Sequence, residues 1–119
     1  MTNVKQAVDR LTALAQESRL RIFRLLVEAG EDGLNATAIA DALDLPPATL
    51  SFHVAHLFRA GLVNSRQESR FIFYSANYAA MDDLIAYLAK NCCQGEACLP
   101  KTAAVNSTDK ARRLVRKAI

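Results

Sequence analysis

Residues 45–63 read LPPATLSFHVAHLFRAGLV, and the whole chain is read differently according to whether this stretch is a helix with two distinct faces. Pro47 suits the first position of a helix, where its missing N–H has no intrahelical acceptor anyway, and Gly61 suits the cap at the far end. At about 100° per residue, Leu50, Val54 and Leu57 gather on one side and must face a core. The opposite side presents Ala48, Phe52, Ala55 and Arg59, with Thr49, Ser51 and His56 on its flanks. Phe52 is the informative residue. A large apolar side chain on an outward face is either a lapse in patterning or a contact, and the methyl group of thymine in a major groove offers such a contact. Packing of Phe52 against a neighbouring subunit is the competing explanation.

On the N-terminal side, Asn35 is placed to cap a short helix with Ile39, Ala40 and Leu43 on its inner face, and Asp44, Leu45 and Pro46 make a tight turn into the first stretch. On the C-terminal side, Leu62 to Gln67 and Arg70 to Ala76 read as two strands joined at Glu68-Ser69. Two short helices followed by a two-stranded wing match the helix-turn-helix plan, in which the second helix lies in the major groove. A plain helical bundle would explain the helices but not the hairpin beside them. Arg66 and Arg70 flank the wing turn, where they either reach phosphates or stand as solvated strand-end charges. Further out, Val4, Val8, Leu11 and Ala15 recur at helical spacing, as do Leu20, Phe23, Leu26 and Val27 before Gly30. A last helix runs from Met81 to Asn91 and carries Met81, Leu84, Ile85 and Leu88. The expected fold class is therefore mainly α with a β-hairpin wing, a winged helix-turn-helix.

With 119 residues the chain has room for one modest core, and a dimer interface would help to stabilise it. No apolar run approaches a membrane span and MTNVKQAVDR does not read as a secretory signal, so a cytoplasmic protein with no membrane partner is expected. The net charge of +3 is not evidence for nucleic acid, because residues 1–100 carry nine Lys or Arg against eleven Asp or Glu, whereas residues 101–119 carry six against one. Residues 1–99 are read as the DNA-binding and dimerisation domain including its cysteines, and residues 100–119 as a flexible basic tail that adds sequence-independent DNA affinity.

Together, SRLRIFRLL (18–26), the stretch at 45–63 and the wing RQESRFIFY (66–74) resemble the ArsR/SmtB metal-sensing repressors, over roughly residues 4 to 92. The resemblance implies a winged-helix homodimer joined through its first and last helices, here those from Val4 and Met81, that binds operator DNA. Ser69 stands where the family usually has glycine. Members sense different ions at different places. The Cys-x-Cys of the founding arsenic sensors is missing from ATAIADALDL (36–45), and no histidine accompanies Asp82 and Asp83 as zinc or nickel sensors of the family require.

What remains is NCCQGEACLP (91–100), which holds all three cysteines of the chain. Adjacent helical residues point about 100° apart, so Cys92 and Cys93 can converge only where the helix ends, and Gly95 would end it before the chain returns with Cys98. Neighbouring Cα atoms at about 3.8 Å are too close for an unstrained disulfide, so the vicinal pair is the better chelate. Three soft thiolates without a fourth ligand suit As(III) or Sb(III), and a subset of the family with this cysteine pattern responds to arsenite. The alternatives are a redox or persulfide switch through Cys98, and a response to Cd(II) or Pb(II) on the same fold. His53 and His56 have no companion ligand on their helix and read as packed or surface histidines. No organic cofactor is expected. No catalytic constellation is present either, since no arginine lies six positions after any cysteine, and an enzyme is not expected.

Overall fold

A computed structural model describes residues 2–95, which order as α1 (Val4–Leu14), α2 (Glu17–Ala29), β1 (Leu34–Asn35), α3 (Ala36–Leu43), α4 (Pro47–Arg59), β2 (Val63–Glu68), β3 (Phe71–Ala76) and α5 (Tyr78–Ala89), followed by a turn at Cys92–Gly95. Val4–Ala80 form one compact unit; among the described residues, those from Met81 on, with Thr2 and Asn3, form another. The domain boundary expected at 99–100 lies outside the described residues, as do Cys98 and the tail.

The larger unit closes on Ile22, Leu26, Ile39, Leu50, Leu57 and Leu62, all fully buried. Each such side chain contributes about 1.5–3 kcal/mol by leaving water. Most of α1's apolar stripe stays outside this core: Val4, Val8 and Leu11 are exposed, while Ala7 and Ala13 are buried. Leu20 is also exposed, and α2 turns Ile22, Phe23 and Leu26 inward instead. Helix ends are satisfied by side chains from across the unit. Arg19 Nε donates to the Ala13 carbonyl at 2.7 Å near the end of α1, and the Tyr78 hydroxyl donates to the Val27 carbonyl at 2.8 Å near the end of α2.

Three local expectations need correction. The wing is a three-stranded antiparallel sheet in the order β1-β3-β2, because Leu34 and Asn35 pair with Tyr74 and Phe73. Gly33 permits that approach: its φ is +73°, and a Cβ there would lie 2.1 Å from the Tyr74 carbonyl oxygen. The wing turn is Ser69-Arg70 rather than Glu68-Ser69, since Glu68 pairs with Phe71, and Ser69 takes the left-handed φ of +59° where glycine is favoured. The last helix begins at Tyr78 and ends at Ala89, earlier at both ends than Met81 and Asn91. Asn77 sets the start, its Oδ1 accepting from Ala80 N at 3.1 Å.

Candidate nucleic-acid interface and cysteine turn

The helix-turn-helix is α3 and α4. Asn35 caps α3 as expected, its Oδ1 accepting from Ala38 N at 2.8 Å. A left-handed Asp44 ends that helix, Pro46 is the N-cap of α4, and Pro47 occupies its first turn. At the other end Ala60 is the cap and Gly61, at φ +80°, is the residue beyond it. There Gly61 N bonds the Phe58 carbonyl at 3.0 Å and Leu62 N the Leu57 carbonyl at 3.1 Å, the paired bonds of a Schellman end. Both ends of α4 are thus fixed by backbone geometry, and its rotation is fixed by burial of Leu50, Val54 and Leu57.

That rotation places the residues expected to face DNA outward. Ala48, Thr49, Ser51, Phe52, Ala55 and Arg59 are exposed and His56 is half-buried. Phe52 is 61% exposed, so packing within the unit does not account for it. Its ring leans on His53 at 5.4 Å between centroids and on His56 at 6.1 Å, which fixes its direction without covering its face. Between α4 and the wing runs a cleft of 370 Å³ lined by Ser51, Ala55 and Arg59 from the helix and Ser65, Ile72 and Tyr74 from the sheet, with no carboxylate among the described residues that line it.

His53 is buried at 8% exposure, and Arg19 Nη1 lies 3.4 Å from its Nδ1. A guanidinium can only donate, so this contact requires an unprotonated Nδ1. Burial, then the charge of Arg19, then His56 hold the His53 pKa below its ordinary value, and the same direction applies to His56 through desolvation, Arg19 and Arg59. Neither histidine joins a metal-ligand cluster among the described residues.

The two wing arginines differ. Arg66 is folded back: Nε donates to Glu68 at 3.0 Å, Nη1 donates to the Asp32 carbonyl at 2.8 Å, and the guanidinium carbon stands 4.9 Å from the Phe73 ring centre. Arg70, at the tip, stands 5.9 Å from the Phe71 ring centre and forms no ion pair among the described residues. Sequence reasoning treated them alike because the acceptor that separates them, Asp32, lies 34 residues away.

At the C-terminal end, the chain reverses earlier than Gly95. Asn91, Cys93 and Gln94 adopt φ of 59°, 54° and 59°. Asparagine tolerates that conformation; cysteine and glutamine do so at a cost of about 1–2 kcal/mol each. The reversal brings Cys92 Sγ and Cys93 Sγ to 3.5 Å. Cys92 carries a free thiol and Cys93 is disulfide-bonded. Among the described residues no three His, Cys, Asp or Glu side chains converge as metal ligands.

Residues 14–66 match a family model described as a helix-turn-helix domain. The transcriptional activator HlyU of Vibrio cholerae is 35% identical over 92 residues, 77% of this chain and 82% of that protein. Its solved reduced form covers 76% of this chain and 92% of its own, with a TM-score of 0.58 and 33% identity. The cadmium resistance transcriptional regulatory protein CadC of Listeria innocua is 36% identical over 61 residues, 51% of this chain and 50% of that one. A solved structure described as a possible transcriptional regulator for arsenical resistance is 25% identical, with a TM-score of 0.60, and covers 93% of this chain and 97% of its own. Among the described residues no helix is long and apolar enough to cross a membrane.

Proposed function

Because the chain belongs to the ArsR/SmtB-type helix-turn-helix family of transcriptional regulators, we propose that it is an arsenic-responsive repressor. In this reading a homodimer binds operator DNA and leaves it when As(III) or Sb(III) is held by Cys92, Cys93 and Cys98. Thr49, Ser51, Phe52 and His56 of α4 read the major groove with Ala48 beside them, and Arg70 takes a phosphate beyond the wing. The exposed Val4, Val8 and Leu11 of α1, and Ile85 and Leu88 of α5, supply apolar surface for the dimer.

The observation that carries the ligand is the 3.5 Å between the sulfurs of Cys92 and Cys93. Once Cys93 is reduced, two thiolates at that separation, each about 2.3 Å from a shared soft centre, subtend roughly 99° there, narrower than a tetrahedral site and suited to an ion whose lone pair fills the remaining direction. The arsenical-resistance structure, alignable over 93% of the chain, supports the same assignment. A bound trivalent ion supplies three metal–sulfur bonds, and the chain supplies the consequence. Gathering Cys98 onto the pair reorders the end of α5. As a dimer helix in this family, α5 sets the spacing of the two recognition helices, which must stay near 34 Å to fit one turn of DNA. Release then follows from geometry, without contact between ion and DNA.

A second reading is favoured by the disulfide at Cys93 and by the relative solved in a reduced form: oxidation of two thiols to a disulfide, with two electrons and two protons passing to an oxidant, would be the signal. Gel shifts on duplexes selected by the wild-type protein from a randomised pool separate the two. Reduced wild type should lose about 5- to 150-fold in affinity on adding arsenite, whereas Cys92→Ser, Cys93→Ser and Cys98→Ser should bind equally with and without it. Arsenite-insensitive binding by reduced wild type overturns the arsenic reading; release by oxidant alone establishes the redox one.

A further inference from the structure

Besides the direct run of α4 into β2 and the packing of those two elements, the wing is tied at two further places toward the start of α3. One is β1, whose Asn35 pairs with Phe73 of β3 and caps α3 through Ala38 N. The other is Arg66. It starts from β2, at one edge of the sheet, passes over Phe73 of the central strand at 4.9 Å, and donates to the carbonyl of Asp32, just before β1 at the opposite edge. The guanidinium therefore spans the sheet from β2 across β3 to the loop that leads into β1. Glu68 holds it from the side at 3.0 Å and offsets its charge.

We propose that Arg66 is a positioning residue for DNA binding, a strap that fixes the wing relative to α4, and that Arg70 alone of the two wing arginines takes a phosphate. This rests on the DNA-binding reading above. The physical ground is the use of its donors: Arg66 has placed two of its five N–H groups on the Asp32 carbonyl and the Glu68 carboxylate, so its direction is already set and its charge is partly offset before any phosphate approaches. Its stacking on Phe73 adds a preference for lying flat on the sheet. Arg70, beyond the left-handed Ser69, has no carboxylate to displace among the described residues.

Two measurements on the full chain decide it. First, hydrogen exchange without DNA: Arg66→Ala should speed exchange of the β3 amides of Phe71–Ala76, Arg66→Lys should do so less, and Arg70→Ala should leave it unchanged. Second, the salt dependence of binding to a pool-selected duplex: each phosphate contact contributes about 0.9 to the log–log slope, so Arg70→Ala should flatten it by about 1.8 in a dimer. Arg66→Ala should weaken binding about 2- to 30-fold, the range for residues that act through a neighbour, with the slope retained. A slope lost equally in Arg66→Ala and Arg70→Ala, or wing exchange unchanged in Arg66→Ala, overturns the proposal. A wild-type protein that selects no duplex overturns the DNA reading instead, and the exchange experiment still decides the strap.

Discussion

The recognition helix and the cysteine turn are held in opposite ways. Helix α4 has a proline start, a Schellman end, three side chains no more than 5% exposed, and a strapped sheet beside it. Asn91–Gly95 has three non-glycine residues in left-handed backbone, and the side chains of Asn91, Cys93 and Gln94 are exposed. Strained backbone of this kind costs free energy and clusters at ligand clamps and switch segments. A surface that reads DNA must present one geometry, whereas a sensing segment must have two, separated by no more than its ligand's differential affinity supplies. The contrast assigns rigidity to the reader and bistability to the proposed sensor.

Stability is the place where this contrast should break first if it is wrong. Leu57→Ala, at a side chain with no exposure, should lose about 2–5 kcal/mol in urea unfolding. Cys92→Ser should stay within about 0.5 kcal/mol of wild type, and a large loss there would make the turn a structural staple. A smaller effect sharpens the division of α4 into two faces. Phe52→Ala should weaken binding to the selected duplex by about 1–3 kcal/mol with unfolding and dimerisation unchanged; loss of the dimer would reassign Phe52 to an interface. Smallest is a pH effect on the buried side of the same helix. His53 has a folded pKa below the ordinary 6.5, so the native state binds fewer protons than the unfolded one. Its contribution is complete above pH 6.5 and is lost as the pH falls from there toward the folded value. His56 acts in the same sense. Urea titrations across this window should show stability falling with acid, and His53→Gln should remove most of that slope; an unchanged slope would place the titrating group elsewhere.

What the sequence could carry was set by range. Helical spacing, the Asn35 cap, the Pro47 start and the outward Phe52 were legible because each depends on residues within one or two turns of one another. Asn77 was a local signal of the same kind that went unread, and it moved the start of α5 by three residues. The two-residue β1 carries no periodicity of its own and exists because Gly33 lets the chain meet Tyr74. Burial of His53 required Arg19, and the strap by Arg66 required Asp32, each 34 residues distant. The sequence by itself determined the helix-turn-helix and the outward face of α4, since periodicity and caps act locally and survive any packing that buries one stripe. Only the tertiary structure decided which histidine is enclosed, where the wing turns and which wing arginine has no ion pair among the described residues, because those outcomes depend on the nearest acceptor in space.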